Sequence, residues 1–153
     1  MPKQSAGILR YRYNEAQLQI FLVHPGGPFY KNKDNGAWSV PKGEFLDNED
    51  PLEAAKREFF EETGCTVNGD FKKLTAIQIK SGKNIHAWAI EGDMDEQKIV
   101  SNTFRMEWPP RSGKITSFPE VDRAAWFNAD VAKVKITAGQ IRLIEELEAI
   151  LAR

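Results

Sequence analysis

Gly43-Glu44-Phe45-Leu46-Asp47-Asn48-Glu49-Asp50-Pro51-Leu52-Glu53-Ala54-Ala55-Lys56-Arg57-Glu58-Phe59-Phe60-Glu61-Glu62-Thr63-Gly64-Cys65 decides the reading of this chain. Its second half predicts a helix that starts near Asp50. Asp50 suits the N-cap, Pro51 suits the first turn, and Glu53 completes a D-x-x-E box. Leu52, Ala55 and Phe59 share one side at helical spacing, and Gly64 suits a left-handed C-terminal position. Glu58, Glu61 and Glu62 stand at i, i+3 and i+4, so they share a different face. Three like charges this close repel one another. A hard divalent cation reverses that penalty, because carboxylate oxygens suit Mg²⁺, Mn²⁺ or Ca²⁺. The plain reading of the same residues is a solvated acidic helix face.

The charge is unevenly spread. The chain has 153 residues and a formal net charge of -1, with 21 Lys+Arg against 22 Asp+Glu. From Gly43 to Gly64 there are eight acids and two bases, a net of -6, so the remainder carries +5. Near-neutrality of the whole argues against a nucleic-acid coat or a polybasic membrane binder. The length favours a single domain over residues 1–153, and 41% hydrophobic residues supply a packed core. Cys65 is the one cysteine, so no internal disulfide framework can form. With no apolar leader in the first residues and no stretch of ~18 apolar residues, a cytoplasmic, reducing compartment is expected.

Strands are expected at 6–13 and 17–23 around a turn at Asn14-Glu15, the second nearly continuous apolar as in a strand buried on both faces. A loop from 24 to 36 follows, long enough to suggest function. Ala37-Trp38-Ser39-Val40 predicts a short strand stopped by Pro41. Residues 71–80 and 84–91 read as a hairpin, 99–107 as a strand, 108–114 as a loop, and Ala124–Phe127 as a short strand. Thr137 is the expected cap of a last helix with Ile141, Ile144, Leu147 and Leu151 as its apolar stripe. Intermixed strands and helices imply one mixed sheet with helices on its faces.

The quoted stretch fits G-x5-E-x7-R-E-U-x-E-E-x-G-U, with U a bulky apolar residue, through Gly43, Glu49, Arg57, Glu58, Phe59, Glu61, Glu62, Gly64 and Cys65. Seven positions demand a single residue type, and their chance co-occurrence in such a chain is on the order of one in a million. The pattern resembles the Nudix box of the Nudix hydrolases. Cys65 stands where an aliphatic residue is more usual, and a free cysteine packs as a small hydrophobe. The resemblance implies an α/β/α sandwich with a mixed sheet flanked by helices. It also implies hydrolysis of a pyrophosphate bond in a nucleoside diphosphate linked to another group. In that reading Glu58, Glu61 and Glu62, with the Gly43 carbonyl, hold Mg²⁺ or Mn²⁺, and Arg57 pairs with Glu49. The general base is Glu58 or Glu120, the latter alternatively a metal ligand.

Substrate contacts are expected from cationic side chains: Lys42 beside the box glycine, and Arg111 and Lys114 in Pro109-Pro110-Arg111-Ser112-Gly113-Lys114, whose spacing is not a Walker A motif. Trp38 is a stacking candidate, as are Phe29, Tyr30, His86 and Trp88, although aromatics in strands are more often core. His24 and His86 have no partners at metal-ligand spacing. The expected partner is a nucleotide or other polyphosphate small molecule, with neither a membrane nor a nucleic-acid polymer. The alternatives are a Nudix-fold module without turnover that binds or regulates, and a plain acidic-helix interaction domain.

Overall fold

β1 (Gln4–Asn14) and β2 (Gln17–Pro25) form an antiparallel hairpin. The turn residues Glu15 and Ala16 both have positive φ, 51° and 66°, which matches the twist that two-residue hairpin loops require. The structure, a computed structural model, describes residues 3–153. β3 (Lys42–Glu44) pairs with the first residues of β1, while β2 pairs with its last residues. β2 therefore leaves β1 half-way along. Residues 39–44 fill the split, through a Val23–Ser39 bridge and a bond from the Ile8 amide to the Pro41 carbonyl.

α1 spans Pro51–Thr63. Next come β4 (Lys72–Lys73), β5 (Ile77–Gln78) and β6 (Asn84–Glu91). β7 (Thr103–Glu107) and β8 (Ile115–Pro119) form a separate two-stranded hairpin, and β9 (Val121–Asn128) returns to the main sheet beside β2. α2 (Ala129–Lys135) and α3 (Ile141–Leu151) close the chain. The main sheet runs β4-β6-β1-β2-β9, with β1 and β6 parallel and the other pairs antiparallel.

Alternation along the central strands builds the layers. Ala6, Ile8, Phe21 and Val23 pack with Ala54, Ala55 and Phe59 of α1. Leu9, Tyr11, Ile20 and Leu22 pack on the other face with Leu143, Ile144 and Leu147 of α3. This is the expected α/β/α sandwich with a mixed sheet. Among the described residues no helix is long and apolar enough to cross a membrane.

Several sequence expectations change. Ala37–Val40 makes only isolated bridges, because Trp38 is shared between Ser39's link to β2 and the end of α2: its amide bonds to the Lys135 carbonyl and its carbonyl to the Thr137 amide. The strand forms after Pro41 instead. The strand expected over 71–80 is cut into β4 and β5, since the Thr75 amide turns to Glu146 at 2.7 Å. Residues 99–102 run along the end of α1, where the Val100 and Asn102 amides bond the Thr63 and Glu61 carbonyls. α2 and β8 had no clear signal: α2 leaves Val131 and Val134 exposed, and β8 leaves Ile115 exposed, so neither shows a clean apolar period. Thr137 precedes a 3₁₀ turn over Ala138–Gln140 without a side-chain capping bond, and α3 starts at Ile141.

Candidate active site

The box folds as a strand, a turn and a helix. Asp50 Oδ2 accepts the Glu53 amide at 3.0 Å, and Gly64 takes φ 76° while its amide reaches the Phe60 carbonyl at 2.7 Å. These two ends fix the rotation of α1, so burial of Ala54, Ala55 and Phe59 turns Glu58 and Glu62 toward β3. Gly43 lies under the Glu58 carboxylate so closely that a β-carbon at 43 would fall 2.1 Å from it. Arg57 forks across the cluster. It grips Glu49 through Nε at 2.9 Å and Nη2 at 3.2 Å, and Nη1 reaches Glu58 at 2.8 Å and Glu61 at 3.3 Å. The shared carboxylates raise the Arg57 pKa, with Glu49 as the main cause.

The electrostatics are those of crowded, desolvated acids. Burial, then repulsion from Glu61, raises the Glu58 pKa, and Glu58 is 8% exposed. Burial pushes Glu62 up to about 8, opposed chiefly by the Lys42 ammonium. Glu120 is raised by burial and then by Glu61. Glu120 is in electrostatic reach of all three box glutamates. Its amide bonds the Asn102 carbonyl and its own carbonyl accepts the Gly26 amide, which fixes it in the turn between β8 and β9. Lys42 is lowered by burial and then by Lys83.

Hard oxygen donors, burial and mutual repulsion fit a divalent cation. Among the described residues, no three such side chains converge on one ligating point. Glu58 and Glu61 are turned to Arg57, and a carboxylate has about four lone-pair sites, so these contacts leave donors free.

Lys42 also lines a cavity of about 770 Å³ on the α3 side of the sheet. Tyr30, Ser39, Ile77, Ile79, Lys80, Gln140 and Arg142 contribute to its wall, and none of its lining residues is acidic. Lys42 links this cavity to the acidic cluster, since its ammonium is in electrostatic reach of Glu62 and Glu58.

The family model described as NUDIX domain matches residues 1–147. The chain belongs to the NUDIX family. It is accordingly a Nudix pyrophosphohydrolase. Its fold is similar to that of a C. elegans Ap4A hydrolase binary complex, at 20% identity and a TM-score of 0.63 over 98% of each chain. It is also similar to the NUDIX domain of Shewanella oneidensis NrtR complexed with ADP ribose, at 17% identity and a TM-score of 0.69 over 99% of this chain and 89% of that one. A mutT/nudix family protein from Listeria innocua matches at 16% identity and a TM-score of 0.66 over 99% and 96%. No curated protein matches.

Around the Nudix box the other sequence candidates separate. Gly43, Glu49, Arg57, Glu58, Glu61, Glu62, Glu120 and Lys42 are brought together. Trp38, expected to stack on substrate, is instead a core side chain. It is 4% exposed, packs edge-on against His24 and Phe127, and donates Nε1 to Asp34 at 2.8 Å. Arg111 and Lys114 stand on the exposed tip between β7 and β8, outside the cavity wall. Arg111 has φ 61°, held by its amide bond to Glu107 at 2.8 Å. The sequence reading missed Lys80, Gln140 and Arg142. Gln140 is 1% exposed and ties the cavity to the strand split, accepting the Val40 amide at 3.1 Å and donating to Ser39 Oγ at 3.0 Å. No local motif announces such a residue, since its role comes from a contact 100 residues away.

Proposed function

We propose that this Nudix enzyme hydrolyses, with a divalent metal, a pyrophosphate bond in a nucleoside diphosphate linked to another group. A nucleoside triphosphate or a dinucleoside polyphosphate is the leading substrate. One observation carries this reading: Lys42, which shares the wall of the acid-free cavity with Lys80 and Arg142, also lies in electrostatic reach of Glu62 and Glu58. A polyphosphate laid across Lys42 meets cations on one side and metal-binding carboxylates on the other. The C. elegans hydrolase named for Ap4A and the NrtR domain holding ADP ribose are consistent with a ligand of this chemistry.

Glu58, Glu61 and Glu62, with the Gly43 carbonyl, would hold Mg²⁺, or Mn²⁺ in its place. When bound, the metal neutralises phosphate charge, orients the oxygens and acidifies a bound water. Arg57 holds Glu58 and Glu61 in register with Glu49. Glu120 or Glu58 takes the proton of the attacking water on a carboxylate oxygen, and burial, which raises both above the ordinary carboxylate range, makes each a stronger base. Lys42 meets the phosphate oxygens at the cavity edge, with Arg111 and Lys114 as outer phosphate contacts. One Nudix domain over the whole chain, working in the cytoplasm, completes the proposal. A screen of nucleotide substrates in Mg²⁺ and in Mn²⁺, with products identified by mass, tests it. Tight nucleotide binding without turnover in either metal would favour a silent binding module.

A further inference from the structure

His24 stands near the end of β2 and is fully buried. Its ring bridges two parts of the chain: Nδ1 lies 2.8 Å from Asp122 Oδ1, and Nε2 lies 2.6 Å from the Lys33 carbonyl oxygen. Asp122 is aimed there by a break in register. His24 pairs with Arg123 but Pro25 pairs with Val121, so Asp122 is the extra residue of a bulge and has no partner on β2. The ring face is closed by Trp38, edge-on at 5.2 Å, and the Trp38 indole in turn donates to Asp34. Lys135 completes this knot by donating to the other Asp34 oxygen at 2.6 Å.

These ties fix one end of the loop after β2 at Lys33 and Asp34. The other end is fixed by the Gly26 amide on the Glu120 carbonyl, 2.9 Å away. Between them residues 27–32 carry Phe29, 62% exposed, and Tyr30, 41% exposed, and Tyr30 forms part of the cavity wall. His24 itself does not line the cavity. A buried ring held by two polar partners, one of them a loop carbonyl, is more than apolar filling would require.

We propose that His24 is a positioning residue for substrate: it fastens the 26–36 loop at Lys33 and so holds the Tyr30 wall of the cavity beside Lys42. The inference rests on the proposed nucleotide hydrolysis for its substrate, but not for its structural part. His24→Asn shortens the side chain and gives up the Lys33 bond. It is expected to raise KM for the substrate found in the screen roughly ten-fold with kcat within about two-fold. His24→Gln, whose amide reaches further, is expected to restore part of the KM. Amide hydrogen exchange on the metal-free, substrate-free protein should speed up at 27–33 by roughly ten-fold or more, with β1 and α1 unchanged. Asp122→Ala, at a partly exposed side chain, carries the same expectation if His24→Asn does not fold.

Unchanged exchange at 27–33 in folded variants would overturn the inference, whatever the activity. So would a fall in kcat at constant KM. A wild-type protein that turns over no phosphoanhydride would instead overturn the functional reading, while the exchange experiment would still decide whether His24 holds the loop.

Discussion

Gly43 and Glu58 are in such close contact that residue 43 has no room for a β-carbon: the Glu58 carboxylate occupies that space. The glycine of the box is therefore a spatial requirement of the acid fifteen positions later. Arg57 holds the same carboxylate from the other side at 2.8 Å, so Glu58 cannot yield without losing that bond.

Gly43→Ala is expected to push the Glu58 carboxylate aside while leaving the fold in place. Its folding cost should be about 1–3 kcal/mol, as for a small overpacking change, and kcat/KM should fall by roughly two orders of magnitude. Thermal melts and steady-state kinetics check both. Wild-type turnover in a folded variant would show that the position of Glu58 is not needed.

Glu61→Gln and Glu62→Gln are each expected to cut turnover by roughly two orders of magnitude or more at saturating Mg²⁺. Neither should unfold the protein. Near-normal turnover in both would sink their assignment to the metal.

Glu62 also predicts a pH dependence. Its folded-state pKa is raised to about 8, above the ordinary carboxylate value of 4.5. Between those values the folded chain keeps a proton that the unfolded chain has released, so stability falls as pH rises through this window. Urea unfolding in chelator should show a lower midpoint at pH 8 than at pH 5. Glu62→Gln should flatten that difference, and added Mg²⁺ should raise the pH 8 midpoint of the wild type. A midpoint that rises with pH in the chelated wild type, and equally in Glu62→Gln, would contradict the assignment.

Arg57→Lys keeps the charge but gives up the two-pronged grip on Glu49 and the reach to Glu58. The Arg57 side chain is 39% exposed, so solvent screens the pairs and the stability loss should be at most about 1 kcal/mol. The expected larger effect is on kcat, measured against a melting temperature that falls by no more than about 4 °C. A melting loss of several degrees with kcat intact would make the residue purely structural.

Trp38→Ala and Arg111→Ala should separate core from contact. Trp38 is buried between His24 and Phe127, and its loss should cost about 3–5 kcal/mol. Arg111→Ala should leave stability within about 0.5 kcal/mol and raise KM severalfold for longer polyphosphates. Unchanged KM would remove the hairpin tip from the substrate site.

Much of the site was legible in the chain because its chemistry is local. Gly43, Glu49, Arg57, Glu58, Glu61 and Glu62 sit within one strand-turn-helix, where helical spacing alone puts the acids on one face. The layered fold was legible too, since the nearly continuous apolar run Leu18–Val23 asks for burial on both sides. Trp38 illustrates the opposite case. An aromatic beside a functional loop reads equally as platform or core, and only the arrival of β9 and α2 over it decides for core.

The sequence by itself determined the box, its acidic face and the mixed sheet, because spacing and periodicity are properties of neighbours along the chain. Only the tertiary structure decided that β2 parts from β1 to admit residues 39–44. It alone brought Glu120 to the box glutamates, and placed Lys80, Gln140 and Arg142 around the cavity beside Lys42. Those placements depend on contacts between segments far apart in sequence, and on burial that shifts the charges of the groups it encloses. Three cations from outside the box, Lys42, Lys80 and Arg142, thereby share one cavity wall, and Lys42 lies in electrostatic reach of Glu58 and Glu62.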